Sequence, residues 1–383
     1  MAPKVHIQRL KLAGFRNYAS LSLELDQRNV VLAGENGAGK TNLMEALSLL
    51  TPGRGMRRAA YSDMIKAGSG PETGFSIFAS LEGMAGPVDI GTGVEGTEES
   101  GSRRVRINGA PARAADEMLE HLRLLWLTPA MDGLFTGPAG DRRRFLDRLV
   151  LSVDPAHGGR ALNYERAMRS RNRLLSEGRA DPTWIDGLEA QMVELGVAMA
   201  MARNEVVNLL SGLIEGNSTH SVFPAATVRL EGFLEDQGLQ SASDMEAAFT
   251  DLLKSGRGRD GAAGRTLSGP HRSDLIVHHR AKAMPAALSS TGEQKALLIG
   301  IVLGHAQLVR GMTGHAPILL LDEIAAHLDE GRRAALFDLI EALECQAFMT
   351  GTDTQMFESL GSRGRIFTVT DGRVTPHQET EHG

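Results

Sequence analysis

The chain has 383 residues, 42% of them hydrophobic, which is material for two or three domains with at least one large core. A formal net charge of −6 excludes a globally basic protein, so any nucleic-acid site must be a local patch. Cys345 is the one cysteine, which excludes an intramolecular disulfide; with no secretory leader and no run near ~18 apolar residues, a cytoplasmic protein without a membrane span is expected.

In chain order, KVHIQRLKLAGFRNY and LSLELDQRNVVLAG alternate apolar and polar residues with the period of half-buried strands. GENGAGKT follows, Gly34 to Thr41, with the G-x-x-x-x-G-K-[ST] spacing of a phosphate loop. Glycines let backbone amides turn inward around an anion, and the next helix adds its unpaired N-terminal amides. Lys40 can reach the β- and γ-phosphates and the Thr41 hydroxyl can ligate Mg²⁺. NVVLA before the loop reads as a strand, and Leu43, Ala46, Leu47 and Leu50 after it give one buried helix face.

Residues 74–110 read as antiparallel hairpins separated by Gly-rich turns. From about 141 to 260 the segments DRRRFLDRLVL, NYERAMRSRNRLL, TWIDGLEAQMVELGVAMAMARNEVVNLLSGLIEG and DMEAAFTDLLKSG predict helices, the third with a stripe of Met192, Leu195, Met199, Val206, Leu210 and Leu213. GRGRDGAAGR (256–265) predicts a loop, and the polar TPHQETEHG end a frayed tail.

LSSTGEQKALLIGIVLGHA (288–306) opens a helix on Ser290, Thr291, Gly292, Glu293 and Gln294. Its free amides and serine hydroxyl form a second anion site as well as a capping box, and such a site makes sense against nucleotide held by another copy of the protein. Ile318 to Leu321 predict a strand buried on both faces, ending in Asp322-Glu323 at the edge where ligands bind in open α/β sheets. Asp322 would hold Mg²⁺ through water, and Glu323 could orient or deprotonate the attacking water. The loop and these carboxylates lie far apart in sequence yet must touch one nucleotide, so the helical block leaves and returns to one core.

GENGAGKT, SSTGEQK, LLLDEIAAHLD and TGTD resemble the Walker A, signature, Walker B with D-loop, and switch segments of ABC-type ATPases. Within that superfamily GFRNY, GRGMRR, LTPAMDGLFTGPAGDRRRFLD and SGPHRSDL resemble the RecF-like recombination mediators over nearly the full length, least across about 215–265. The resemblance implies an α/β P-loop head of mixed sheets with flanking helices and an inserted helical arm. The boundaries fall at 1–135 (head), 136–262 (arm) and 263–383 (head). It implies ATP and Mg²⁺ as cofactors, slow ATPase activity, an ATP-dependent homodimer, and DNA binding on duplex and single-strand/duplex junctions. RecR- and RecO-like mediators and the recombinase are the implied partners, in gap repair and the SOS response.

Residue by residue, the resemblance assigns nucleotide contacts to Gly34, Glu35, Asn36, Gly37, Ala38, Gly39, Lys40 and Thr41. It assigns metal to Thr41 and Asp322, catalysis to Glu323 with Lys40, the opposite subunit's nucleotide to Ser290 and Gly292, the dimer loop to Asp329, and phosphate to Arg16. At the switch, Thr352 or Asp353 must replace the usual histidine, or the role is absent; a Q-loop glutamine has no clear place. An ATPase subunit of another assembly, transporter-like or a regulatory nucleotide switch, is the alternative.

Arg54, Arg57 and Arg58, then Arg103, Arg104 and Arg106, then Arg142 to Arg144, then Arg169, Arg171 and Arg173 form basic clusters. Each either contacts DNA phosphates or is a solvated face, with Asp141 and Asp147 as partners for the third. His278-His279 reads as a strand or turn pair, Cys345 as a small buried hydrophobe, and His271 as an interface residue or the cap of a turn.

Overall fold

The computed structural model describes residues 4–70, 73–95, 103–178, 181–217, 222–236, 238, 241–325 and 328–377. Strands β1 (His6–Phe15), β2 (Tyr18–Glu24) and β3 (Asn29–Ala33) lead into helix α1 (Lys40–Ser48) and the short α2 (Tyr61–Met64). Strands β4 (Phe75–Gly83), β5 (Gly86–Val94), β6 (Arg104–Ile107), β7 (Ala110–Pro111) and β8 (Leu124–Leu127) follow. The middle of the chain holds α3 (Ala139–Leu151), α4 (His157–Glu177), α5 (Pro182–Asn217), β9 (Ala226–Glu231), α6 (Phe233–Asp236), α7 (Ala242–Ala263), β10 (Asp274–His279) and β11 (Met284–Pro285). The return carries α8 (Thr291–Thr313), β12 (Ile318–Leu321), α9 (Glu330–Ala342), β13 (Ala347–Gly351), β14 (Gly364–Thr370) and β15 (Arg373–Pro376).

Two compact units result, one of residues 1–132 with 302–383, the other of 133–301. The second division therefore differs from the expected break at 262/263. The reason is strand pairing: β10 joins β9 and β11 in a three-stranded sheet, which keeps residues 263–285 with the arm.

In the head unit, an antiparallel sheet of order β2-β1-β4-β5-β6-β7 accompanies a second sheet of order β15-β14-β3-β13-β12-β8. All neighbours in the second are parallel except β14 with β15. The sequence pattern explains the division. Along β1, Ile7, Leu10, Leu12 and Phe15 turn inward, with a register shift between Ile7 and Arg9 that resets the alternation. By contrast β3, β12 and β13 are buried at every position, as parallel strands covered on both faces must be. Helix α1 shares one core with residues of both sheets, Leu10 and Ile77 from one and Leu32, Leu320 and Phe348 from the other. Its burial consequently exceeds the single expected face: Met44 and Glu45 are enclosed as well.

The arm unit packs α4, α5 and α7 around Tyr164, Met192, Val197, Met199 and Phe249. Pro182 opens α5 where its missing N–H costs nothing, and the Asp181 carboxylate accepts from the Thr183 amide at 2.9 Å. Of the expected stripe, Met192, Met199, Val206 and Leu210 are buried, while Leu195 and Leu213 are half-buried.

The expected 256–265 loop is instead the last turns of α7. Gly261 lets α7 approach α4, since a Cβ there would lie 3.3 Å from the Leu175 carbonyl oxygen. Arg257 and Asp260 anchor the same stretch to Glu189 and Arg171. Gly264, at φ 63°, ends the helix in the left-handed conformation that favours glycine. At the C-terminus, residues 375–376 belong to β15 rather than to a frayed tail, while 378–383 lie outside the described residues. Helix α8 is the one helix among the described residues long and apolar enough to cross a membrane, yet 61% of that stretch is buried in the fold, as for a core helix.

Candidate functional site

The phosphate loop joins the C-terminal end of β3 to α1. Gly34 (φ 156°) passes so close to β14 that a Cβ would lie 2.2 Å from the Val369 carbonyl oxygen. Gly37 and Gly39 take φ values of 86° and 117°, which curl the loop over the helix N-terminus. Glu35, Asn36 and Gly37 are exposed at its rim, whereas Ala38, Gly39 and Lys40 are buried. The Lys40 ammonium turns back into the loop and donates to the carbonyls of Gly34 at 2.6 Å and Glu35 at 2.9 Å. Burial lowers its pKa, against the attraction of Glu323 and Asp322.

The carboxylates stand beside this loop. The Thr41 hydroxyl donates to Asp322 Oδ1 at 3.2 Å, and the Thr350 hydroxyl donates to the same oxygen at 2.8 Å. Burial pushes the Asp322 carboxyl up, and these two hydroxyls oppose the shift. Glu323 is half-buried with φ 55°, a left-handed conformation unusual for a non-glycine residue, and its amide donates to Thr350 Oγ1 at 2.8 Å. Strand β13 separates β3 from β12, so the loop, its lysine and both acids converge at one edge of the parallel sheet. Asp322 and Thr41 offer hard oxygen ligands suited to Mg²⁺. Among the described residues no group of three or more His, Cys, Asp or Glu could hold a metal ion.

Several supports of the loop escaped sequence reasoning. Asn17 Nδ2 donates to the Ala38 carbonyl at 3.1 Å, Asn17 Oδ1 accepts from Asn42 at 2.8 Å, and the Tyr18 hydroxyl donates to the Gly39 carbonyl at 3.0 Å. The Gly372 amide adds a bond to Ala38 O at 3.0 Å. Asn17 and Tyr18 lie in the GFRNY segment that the family resemblance marked without assigning them this work.

Arg16, expected near phosphate, has partners within the protein. Its guanidinium holds the fully buried Glu45 carboxylate at 2.8 and 2.9 Å and donates to the Asp63 carbonyl at 2.6 Å. Thr352 is exposed, and the Asp353 side chain accepts from the Gln355 amide, so neither touches Asp322; Thr350 does.

In the other unit, Ser290 and Gly292 are exposed at the start of α8. Ser290 donates from its amide and its hydroxyl to Glu293 Oε2, at 3.1 and 3.0 Å. The Glu293 carboxyl is held low, at about 2, by Lys282 first and by the Ser290 bonds second. The capping box is therefore real, and it leaves the Thr291 and Gly292 surface facing outward. Asp329 caps α9, accepting from the Arg332 amide at 2.8 Å, with Ala326 and His327 outside the described residues.

Most of the basic clusters resolve into internal partners. Arg103 is half-buried and donates to Thr92 Oγ1 and to the carbonyls of Leu49, Thr51 and Gly53. Arg104 pairs with Glu95 and Arg106 donates to the Gly109 carbonyl. Arg142 pairs with Asp274, Arg143 donates to the Ser273 carbonyl and Arg144 pairs with Asp141. Arg171 is fully enclosed among Glu189, Asp260 and Thr266, while Arg169 and Arg173 pair along α4 with Glu165 and Glu177. Arg54, Arg57 and Arg58 are exposed on the turn after α1. Of these, Arg57 also donates to Asn42 Oδ1 at 2.8 Å. His271 uses both ring nitrogens inside the arm, against the Tyr164 hydroxyl at 2.9 Å and the Thr266 carbonyl at 3.0 Å, which favours the turn-ordering role.

The RecF/RecN/SMC N terminal domain family matches residues 6–375. A protein of Rhizobium leguminosarum bv. trifolii named DNA replication and repair protein RecF is 64% identical over 374 residues, 98% of this chain and 100% of that protein. Its namesake in Agrobacterium fabrum is 62% identical over 375 residues, again 98% and 100%. Among solved structures, the recombination mediator protein RecF with ATP, of the RecFOR pathway, superposes with a TM-score of 0.86 at 20% identity over 99% of both chains. An Smc head domain from Pyrococcus furiosus gives 0.52 at 17% identity, over 98% of this chain and 96% of that one. At such identities the structural likeness speaks to the fold alone.

Proposed function

The chain belongs to the RecF family, and from that premise and the geometry of its phosphate loop we propose that it is an ATP-dependent DNA-binding protein of DNA replication and repair. The observation that carries the reading is the meeting of Thr41 and Asp322 at 3.2 Å, from segments far apart in the chain, with the Lys40 ammonium turned back into the loop within the field of Asp322 and Glu323. Lys40 and the loop amides hold the β- and γ-phosphates of ATP. Thr41 and Asp322 hold Mg²⁺, which supplies charge neutralisation on the phosphate oxygens when bound. Glu323 orients the attacking water, and slow hydrolysis to ADP and phosphate follows.

The outward-facing Ser290–Gly292 turn completes the nucleotide site of a second copy, so that ATP links two protomers and its hydrolysis releases them. ATP then acts as a switch through its higher affinity for the paired state. Arg54, Arg57 and Arg58 supply phosphate contacts to DNA with a salt-dependent affinity. The gapped duplex beside single strand is the DNA on which this protein, with RecR- and RecO-like partners, assists recombinase loading.

Size measurement with and without ATP tests the switch. Glu323→Gln is expected to accumulate as a dimer with ATP, and a monomer under every condition overturns it. ATPase rates with no DNA, duplex, single strand and gapped duplex test the DNA reading, for which stimulation is expected. Equal turnover in wild type and Glu323→Gln indicates a nucleotide-binding module without hydrolysis. Charge reversal at Arg54, Arg57 and Arg58 that leaves DNA affinity and its salt slope unchanged removes that cluster from the interface.

A further inference from the structure

Thr350 lies on β13, the strand between those that carry the phosphate loop and the two acids, and its side chain is fully enclosed. A hydroxyl donates one proton and accepts through its lone pairs. Here the proton goes to Asp322 Oδ1 at 2.8 Å and a lone pair takes the Glu323 amide at 2.8 Å. One oxygen therefore touches both carboxylate-bearing residues, on the side of Asp322 shared with Thr41. Glu323 meanwhile sits at φ 55°, a conformation that persists in a non-glycine residue only when its surroundings impose it. The hydrogen bond from the Glu323 amide to Thr350 Oγ1 ties down this backbone.

We propose that Thr350 is a positioning residue for ATP hydrolysis: it fixes the backbone from which Glu323 projects and the carboxylate orientation with which Asp322 meets the metal. The proposal rests on reading the site as an ATPase. Thr350→Val preserves shape and strand preference while leaving the Glu323 amide without its acceptor and Asp322 Oδ1 with Thr41 as its remaining hydroxyl donor. Thr350→Ser keeps the hydroxyl.

The experiment uses the full chain as wild type, Thr350→Val, Thr350→Ser and Glu323→Gln. It measures kcat and KM for ATP, the affinity for a fluorescent ATP analogue in EDTA, and the thermal midpoint. Thr350→Val is expected to lose roughly 10- to 100-fold in kcat, as residues behind a metal ligand do. Its metal-free nucleotide affinity should stay at the wild-type value, its thermal midpoint should fall by only a few degrees for the lost hydrogen bonds, and Thr350→Ser should restore kcat. Wild-type kcat in Thr350→Val overturns the proposal, as does a loss matched by weaker metal-free binding or left unrepaired by serine. If wild type fails to hydrolyse ATP, or Glu323→Gln matches it, the ATPase reading falls and this role falls with it. An active wild type with an equally active Thr350→Val sinks the Thr350 role alone.

Discussion

Arg171 was one of the arginines that sequence alone offered to DNA, and the structure turns it into a test of the arm. Its side chain has no exposure, with Nε on Glu189 Oε1 and Nη1 on Asp260 Oδ2, both at 2.8 Å. Nη1 also reaches Thr266 Oγ1 at 3.0 Å, and Nη2 donates to the Leu253 carbonyl at 2.9 Å. Arg171→Ala leaves Glu189 with Arg257 but leaves the buried Asp260 with only the Leu267 amide at 3.1 Å. Removing one partner of a buried ion pair costs about 3–5 kcal/mol, because the remaining charge has lost its compensation. At about 1.4 kcal/mol per decade that is roughly a hundred- to several-thousand-fold in the arm's folding equilibrium.

Urea titration followed by circular dichroism, with hydrogen exchange resolved on α4, α5 and α7, reads the effect. The helical transition should move to lower urea and those three helices should lose protection. DNA affinity, measured where the arm is still folded, should match wild type. Combining Arg171→Met with Glu189→Gln and Asp260→Asn should recover much of the loss, since replacing a whole buried ionic group is often near neutral. A shift in stability under about 1 kcal/mol for Arg171→Ala refutes the assignment of this network as the arm's internal tie.

Gly39→Ala should weaken ATP binding at least about tenfold with the fold retained, read by calorimetric titration, because a left-handed φ is imposed on a residue with a Cβ. That Cβ would lie 2.4 Å from Asn17 Nδ2 and 3.0 Å from the Tyr18 hydroxyl, and an affinity within twofold of wild type would contradict the close fit. Asp147 gives a pH prediction. Burial pushes its carboxyl up, but hydrogen bonds from His157 and the charge and bonds of Arg203 outweigh that and bring it to about 2. A carboxyl held lower in the folded than in the unfolded state stabilises fully above its unfolded value. That stability, about 2 kcal/mol, is lost as pH falls from about 4 toward 2. Thermal midpoints between pH 2 and 7 should show the loss in wild type and a flatter profile in Asp147→Asn; parallel profiles would contradict it.

The parts of the site that the sequence declared are those made by neighbours in the chain. The turn from Gly34 to Thr41 needs its residue types at fixed spacing, and the apolar run ending at Asp322 announces a buried strand whose end carries ligands. Thr350 and Asn17 were invisible because each works on residues brought near only by strand order or packing, Asp322 for one and Ala38 for the other. Composition misled at residues 256–265, where Gly261 permits close helix packing instead of marking a loop, and Glu189 and Arg171 hold Arg257 and Asp260 of the same stretch. The arginine clusters misled for a related reason. Charge is visible in sequence, but the enclosure of Arg171 and the carbonyls that hold Arg103 are properties of the assembled core.

The parallel sheet has a consequence for biosynthesis. Strand β3, which presents the phosphate loop, has β13 and β14 as its two neighbours, and both leave the ribosome only after the entire arm. At roughly 5–20 residues per second the arm can fold while the amino-terminal strands still wait for their partners. The nucleotide cradle is thus among the last features to mature, and a nascent chain halted before Gly364 would leave one edge of β3 open to misassociation.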